Sequence, residues 1–312
     1  DMFCHFQANP SQEFSYLVIF LGYYNRISSR YKYDVHEIRD TKVECYSKKM
    51  SIKIKNKIDE VVFTAVDSKY FKKYAYAWAW SIYKNEMHGH IHVIDPSEKD
   101  IKNLKKLQIN SRDKIKFSTG DIDLNLPKDK CYFASFRFLY IDKLSHLYNK
   151  ILITDVDSII REKIKFPYDD FGFFLRDPLE SENEWYVESS RLAAGIFYIN
   201  IGAVKKFNFK QSYLNNLLQL KESNQWEWMI DQNALHKVFL ELTELNSYKI
   251  KKFTEKDLCW EFKDSSKIWT GKGARKYKSK KYLKENKKYL NNYFKTARIS
   301  FIERALNFID QL

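Results

Sequence analysis

Glycine and proline are scarce in this chain, 8 and 5 among 312 residues, which argues against a low-complexity or disordered polypeptide. Cysteine is scarce too. Cys4, Cys45, Cys131 and Cys259 lie far apart with no Cys-x-x-Cys pair, which points to neither a disulfide framework nor a zinc cage and fits a reducing compartment. The longest apolar run, Tyr16 to Tyr24, is far too short to span a bilayer. No secretory leader pattern is visible, so a cytoplasmic chain is expected. Acidic residues are in deficit, 40 against 54 Lys and Arg, and the net charge of +14 implies anionic company: nucleic acid, an acidic membrane surface or phosphorylated substrates. What is abundant is apolar and aromatic, 44% and 17% of the chain, enough for a large α/β core.

From Asp59 onward apolar strands alternate with helical stretches. Val61 to Asp67 reads as a strand ending in an acid, Tyr70 to Tyr83 as a helix with an aromatic stripe, and His90 to Asp95 as a second strand. Glu98 to Leu107 reads as a helix, Lys114 to Phe117 as a strand, and Tyr132 to Tyr148 as a helix leading into the strand Ile151 to Thr154. Phe171 to Leu175, Gly195 to Asn200 and Tyr248 to Phe253 read as further strands, with helices over Phe207 to Leu220 and Asp231 to Leu242. This alternation predicts βαβ units and a mixed, mainly parallel sheet flanked by helices. Residues 1–57 form an extension without a motif, in which Leu17 to Leu21 reads as an extra strand. Residues 277–312 form a basic helical tail.

The most informative stretch is Ile151-Leu-Ile-Thr-Asp155-Val-Asp157-Ser-Ile-Ile160. A buried strand delivers two carboxylates to its carboxyl end, where open α/β sheets place their ligands. Along an extended chain residues two apart point the same way, so Asp155 and Asp157 are expected to converge on one object at the strand's carboxyl end. Two hard oxygen ligands without Cys or His suit Mn²⁺ or Mg²⁺, which complete their shells with water and substrate phosphates. A second copy, Asp121-Ile-Asp123, lies between Gly120 and Pro127 and reads as turn chemistry.

Taken in order, the motifs resemble glycosyltransferase family 8 and its GT-A-fold relatives, which use nucleotide-sugar donors. Phe63-Thr-Ala65-Val-Asp67 with Tyr70 is similar to the family's strand that cups the base and ribose. Arg137, on the helix before the acidic strand, resembles its donor-holding arginine. Asp155-Val-Asp157 resembles the metal motif, Ala194-Gly195 the Gly-centred strand beside the sugar, and Asp231-Gln232 the pair near the anomeric carbon. The resemblance covers residues 58–276. It implies a metal-dependent transferase of the hexosyltransferase class, acting from a UDP-sugar with retention on a glycan or lipid-linked acceptor, with no nucleic-acid partner. Two positions depart from the pattern. Ala193 stands where the family has Asn. Ile268 or Trp269 stands where the family places a metal-binding His before Gly271, and no His follows His236. Lys272, Arg275 and Lys276 in the Gly-Lys-Gly segment are expected to meet the donor's phosphates.

Other features carry weaker expectations. His88, His90 and His92 alternate along a strand and read as packing rather than a metal site. Trp78, Trp80, Trp226 and Trp228 offer sugar-stacking faces, with core packing favoured for the first two. In the tail, Leu283, Tyr289, Leu290, Tyr293 and Phe294 recur at helical spacing among lysines, a pattern suited to the inner face of an anionic membrane. Two rival readings share parts of the pattern: a haloacid dehalogenase-type phosphatase built on Asp155 and Asp157, and a non-catalytic polyanion or nucleic-acid binder driven by charge.

Overall fold

A computed structural model describes residues 57–122, 124, 126–175 and 192–309, with side chains through Ala297. The expected strand at Leu17 to Leu21, Cys4, Cys45, Asp123 and nearly all of the N-terminal extension lie outside the described residues.

The chain enters the fold at β1 (Ile58–Asp67), passes through a turn at Ser68–Tyr70 and a π-helical segment at Phe71–Ala75, and continues as helix α1 (Tyr76–Lys84). Then follow β2 (Gly89–Ile94), α2 (Glu98–Asn110), β3 (Ile115–Thr119), α3 (Lys130–Leu139), β4 (Tyr148–Thr154), β5 (Ser158–Ile160), β6 (Phe171–Leu175) and β7 (Leu192–Asn200). The remainder comprises α4 (Phe209–Glu222), α5 (Ile230–Leu245), β8 (Ile250–Phe253), β9 (Leu258–Cys259), β10 (Ile268–Thr270) and the long α6 (Lys280–Ile309).

Seven strands make the main sheet in the order β3-β2-β1-β4-β7-β6-β8. β1 runs parallel to both β2 and β4, while β7 is antiparallel to both β4 and β6. The central strands are buried on both faces, and their alternation divides the core. Val61, Phe63, Ala65, Ile151 and Ile153 face the layer that holds α3, α4 and α5. Val62, Val66 and Leu152 face the opposite layer, where α1 and the tyrosines of α6 pack. Trp78 and Trp80 are fully buried in that second layer, and the Trp78 indole donates to Thr154 Oγ1 at 2.9 Å. They are core residues, as favoured, and not sugar platforms.

Three boundaries differ from the sequence reading. The helix predicted from Tyr132 to Tyr148 breaks at Tyr140 and resumes only as a short turn, Ile141–Leu144, while Tyr148 is drawn into β4 beside Ile58 and bonds His90 Nδ1 at 2.8 Å. The helix predicted from Tyr70 begins with a π segment, which widens the turn where the chain leaves β1. The tail helix does not stand apart: Tyr293 packs against Trp80 and Tyr76 at 5.4 and 5.0 Å between ring centroids. Two of the five residues expected to face a membrane are therefore spent on the core: Tyr289 and Tyr293 are buried, Leu290 is half-buried, and Leu283 and Phe294 are exposed.

The alternating histidines also resolve as packing. His90 and His92 are buried and share the Ser118 hydroxyl, at 2.7 and 2.8 Å, and His92 reaches the Gly120 carbonyl at 3.0 Å. Burial pushes His90 down to about 3 and His92 to about 4, so both are neutral imidazoles at physiological pH. Nearby, Asp121 is no freely solvated turn acid: the Tyr132 hydroxyl and the Lys128 ammonium both bond it.

A small second sheet, β5-β10-β9, sets up the site. β10 runs antiparallel to β5, pairing Thr270 with Ser158, and Gly271 N–H donates to the Asp157 carbonyl at 3.2 Å. A segment more than a hundred residues downstream is thereby laid beside the acidic turn.

Candidate active site

A cavity of about 230 Å³ opens where β1 and β4 end. Ala65 and Asp67 line it from β1, Tyr70 from the turn that follows, Arg137 from α3, and Asp155 and Asp157 from the turn after β4. Gly195 comes from β7, Asp231 and Gln232 from the first turn of α5, and Gly271, Lys272 and Lys276 from the segment after β10. Of the residues expected to bind the donor or a metal or to act in catalysis, Arg275 alone is not among those lining the cavity, and its side chain is exposed. The single-turn helix Arg275–Lys278 turns Lys276 inward and leaves its neighbour in solvent.

The two acids do not converge through strand geometry. β4 ends at Thr154, and Asp155-Val-Asp157 is a turn closed by Ser158 N–H on the Asp155 carbonyl at 3.0 Å. Each carboxylate meets a different cation. Arg137 Nη1 lies 2.5 Å from Asp155 Oδ1, and its Nη2 donates to Asp231 Oδ2 at 3.0 Å and to the Ala194 carbonyl at 3.1 Å. Lys276 Nζ lies 2.8 Å from Asp157 Oδ2. Arg137 thus clamps Asp155 to Asp231, and its hydrogen bonds go to the protein rather than out to a donor. Its Nε, buried, has no hydrogen-bond partner among the described residues.

Burial and charge act against each other here. Burial, with the neighbouring Asp155, pushes Asp157 up to about 6, and the opposing pull of Lys276 and Arg137 does not offset it. Burial likewise raises Asp231, partly countered by Arg137. Burial disfavours the charges of Arg137 and Lys276, but the acids beside them outweigh it and keep both cations protonated.

Two glycines are required by close approach. A Cβ at Gly195 would come within 3.0 Å of Asp155 Oδ2, and one at Gly271 would meet Lys276 Cβ at 2.8 Å. Met229, just before α5, holds a left-handed φ of 81° and lines the cavity, so the entry to the Asp231-Gln232 turn is conformationally strained. Trp228 is 63% exposed at the mouth with Lys130 Nζ 5.7 Å from its ring, whereas the Trp226 indole is tied to Asp129 at 2.9 Å.

Sequence reasoning missed Thr270, whose hydroxyl approaches Asp155 Oδ2 at 3.4 Å, and Tyr282, whose hydroxyl donates to the Asp157 carbonyl at 2.6 Å. It also missed Trp260, which lines the cavity under Lys272 Nζ at 5.1 Å. Tyr282 was findable: it lies seven and eleven residues before Tyr289 and Tyr293, on their helical face. Nothing in the sequence marks Thr270 or Trp260.

No protein-family model and no curated protein sequence matches the chain. Solved structures do. A crystal structure of the galactosyltransferase LgtC in complex with donor and acceptor sugar analogues aligns at a TM-score of 0.53 and 13% identity, over 76% of this chain and 95% of that one. An active-site mutant of LgtC aligns at 0.52 and 12%, over 75% and 95%. The glycosyltransferase GlyE of Streptococcus pneumoniae TIGR4 aligns at 0.51 and 13%, over 80% of this chain and 64% of that one. The chain has the GT-A glycosyltransferase fold. In the GT-A fold of this chain the acidic turn, the Gly195 strand and the Asp231-Gln232 turn surround a single cavity.

The divalent ion expected at Asp155 and Asp157 meets a donor set that does not fit it. Both carboxylates already hold a protein cation. Among the described residues no group of three or more His, Cys, Asp or Glu converges to hold a metal, and Ile268 and Trp269 are buried apolar residues.

Proposed function

We propose that the protein is a glycosyltransferase that moves a sugar from a nucleotide-sugar, a UDP-sugar by preference, to a glycan or lipid-linked acceptor with retention of anomeric configuration. The observation that carries this reading is the meeting of five separate stretches of a GT-A fold, around residues 65–70, 155–157, 193–195, 231–232 and 271–276, on one cavity. In this reading Ala65, Asp67 and Tyr70 receive the base and ribose. Gly195 leaves room beside the sugar, and the Asp231-Gln232 turn faces the anomeric carbon. As the glycosidic bond breaks, negative charge grows on the departing diphosphate, and preorganised cations next to it lower the barrier. Lys272 and Lys276 are placed for that role, while Arg137 holds Asp155 and Asp231 in position. Exposed Trp228, with Lys130 over its ring, offers an acceptor sugar a flat face.

No helix among the described residues is long and apolar enough to cross a membrane. The exposed Leu283 and Phe294 among the lysines of α6 support peripheral contact with an anionic inner membrane face. The test of the whole reading is UDP release from a panel of UDP-sugars. Gln232→Ala and Asp155→Asn are expected to lower turnover about a hundredfold, as removal of groups acting at the reacting centre does. Turnover that is absent for every donor, with steeply salt-dependent binding to arbitrary polyanions, would favour the binding-module reading instead.

A further inference from the structure

We infer that the ammonium of Lys276 stands in for the divalent cation at this site, so that the nucleotide diphosphate binds to built-in protein cations without metal. This rests on the nucleotide-sugar reading above. Lys276 Nζ lies 2.8 Å from Asp157 Oδ2, with only 10% and 9% of the two side chains exposed, and both residues line the cavity. A cation bound to Asp157 Oδ2 would compete with that ammonium.

The lysine is seated by its surroundings and is no surface group resting in a cleft by chance. Its stem lies over Gly271, where a Cβ would intrude to 2.8 Å. The rings of Tyr70 and Tyr74 flank the ammonium at 5.2 and 5.4 Å. Tyr282 fixes the Asp157 backbone from the α6 side through its hydroxyl, at 2.6 Å from the carbonyl. The other acid, more open to the cavity, is also paired, with Arg137 at 2.5 Å from Asp155. A metal ion would have to expel a buried, paired ammonium to reach Asp157, with water and substrate phosphates left to supply most of its shell. An ammonium, by contrast, has three protons; with one directed at Asp157, two remain for phosphate oxygens.

Calorimetric titration of the full chain with UDP tests this, in EDTA and again with Mn²⁺. Equal affinity in the two buffers is expected. Lys276→Met, which keeps the stem and removes the charge, should weaken binding in EDTA roughly tenfold or more, the loss of one charge-assisted contact. Mn²⁺ should restore part of that loss in the variant, because Asp157 is then free. Wild-type protein that binds UDP only with Mn²⁺, or a folded Lys276→Met variant that binds as wild type in EDTA, overturns the inference. Should the variant fail to fold by circular dichroism, the two wild-type titrations decide alone. Folded wild type that binds no nucleoside diphosphate in either buffer overturns the nucleotide-sugar reading, and this inference with it.

Discussion

At the scale of single residues the site is a set of charges that cannot be removed one at a time. Arg137 is buried and bonded to Asp155, Asp231 and the Ala194 carbonyl at once. Replacing it with Met leaves buried carboxylates unpaired, and a loss of about 3–5 kcal/mol is expected in urea unfolding. Lowering the pH should recover part of that loss by protonating the acids. Gly271 and Gly273 provide a paired comparison. At Gly271 an added methyl meets Lys276 Cβ at 2.8 Å and the Tyr282 hydroxyl at 3.2 Å, so Gly271→Ala should displace both and abolish tight UDP binding. At Gly273 the backbone is left-handed, with φ of 59°, but the space is open. Gly273→Ala should therefore cost about 1 kcal/mol of backbone strain and leave UDP affinity unchanged. Equal effects of the two substitutions on binding would contradict the seating of Lys276.

At the scale of elements, the interior was well foreshadowed and the connections less so. Alternation of Val61, Val62 and Phe63 between two apolar layers marks β1 as a doubly covered strand, and the same pattern in Ile151 to Ile153 marks β4. The short motifs of the site could be read because backbone chemistry limits what can stand there, as Gly195 against Asp155 illustrates. Three things were hidden because they depend on partners distant in sequence. Tyr148 belongs to a strand through its bond to His90, Arg275 faces solvent through a single helical turn, and Asp155 and Asp157 point at different cations through a turn. The tail helix was recognised as helical, but its inward face was not. Tyr293 is 4% exposed and Phe294 47%. Tyr293→Ala should cost about 3 kcal/mol in equilibrium unfolding and Phe294→Ala under about 1 kcal/mol. The reverse ranking would mean that α6 does not dock as described.

At the scale of the whole molecule, the buried histidines set a pH dependence. His90 and His92 are held well below the ordinary imidazole value in the folded chain, so the unfolded chain binds their protons first as the pH falls. Their contribution is complete above pH 6.5 and is lost as the pH falls from there to about 4 for His92 and about 3 for His90. Asp157 works the other way. Raised to about 6, it takes up its proton in the folded state first, so its buried charge reduces stability above that pH. Near pH 5, unfolding should draw about two protons to the histidines and release about one from Asp157. In Asp157→Asn the opposing release vanishes, and stability should climb more steeply from pH 4.5 to 5.5 than in wild type. A slope identical to wild type would contradict the buried state of that acid.

The contact between Asp157 and the two residues that seat it, Lys276 and Tyr282, spans 119 and 125 positions of chain. A ribosome makes the acidic turn long before it makes either partner. Until the segment from Lys276 into α6 has emerged, the growing chain carries the sheet and its acids but neither the lysine that neutralises Asp157 nor the tyrosine that fixes it. Premature termination anywhere before Lys280 would therefore leave a nascent chain with most of a fold and no finished site, its unsatisfied acids and uncovered α1 face open to chaperones and proteases.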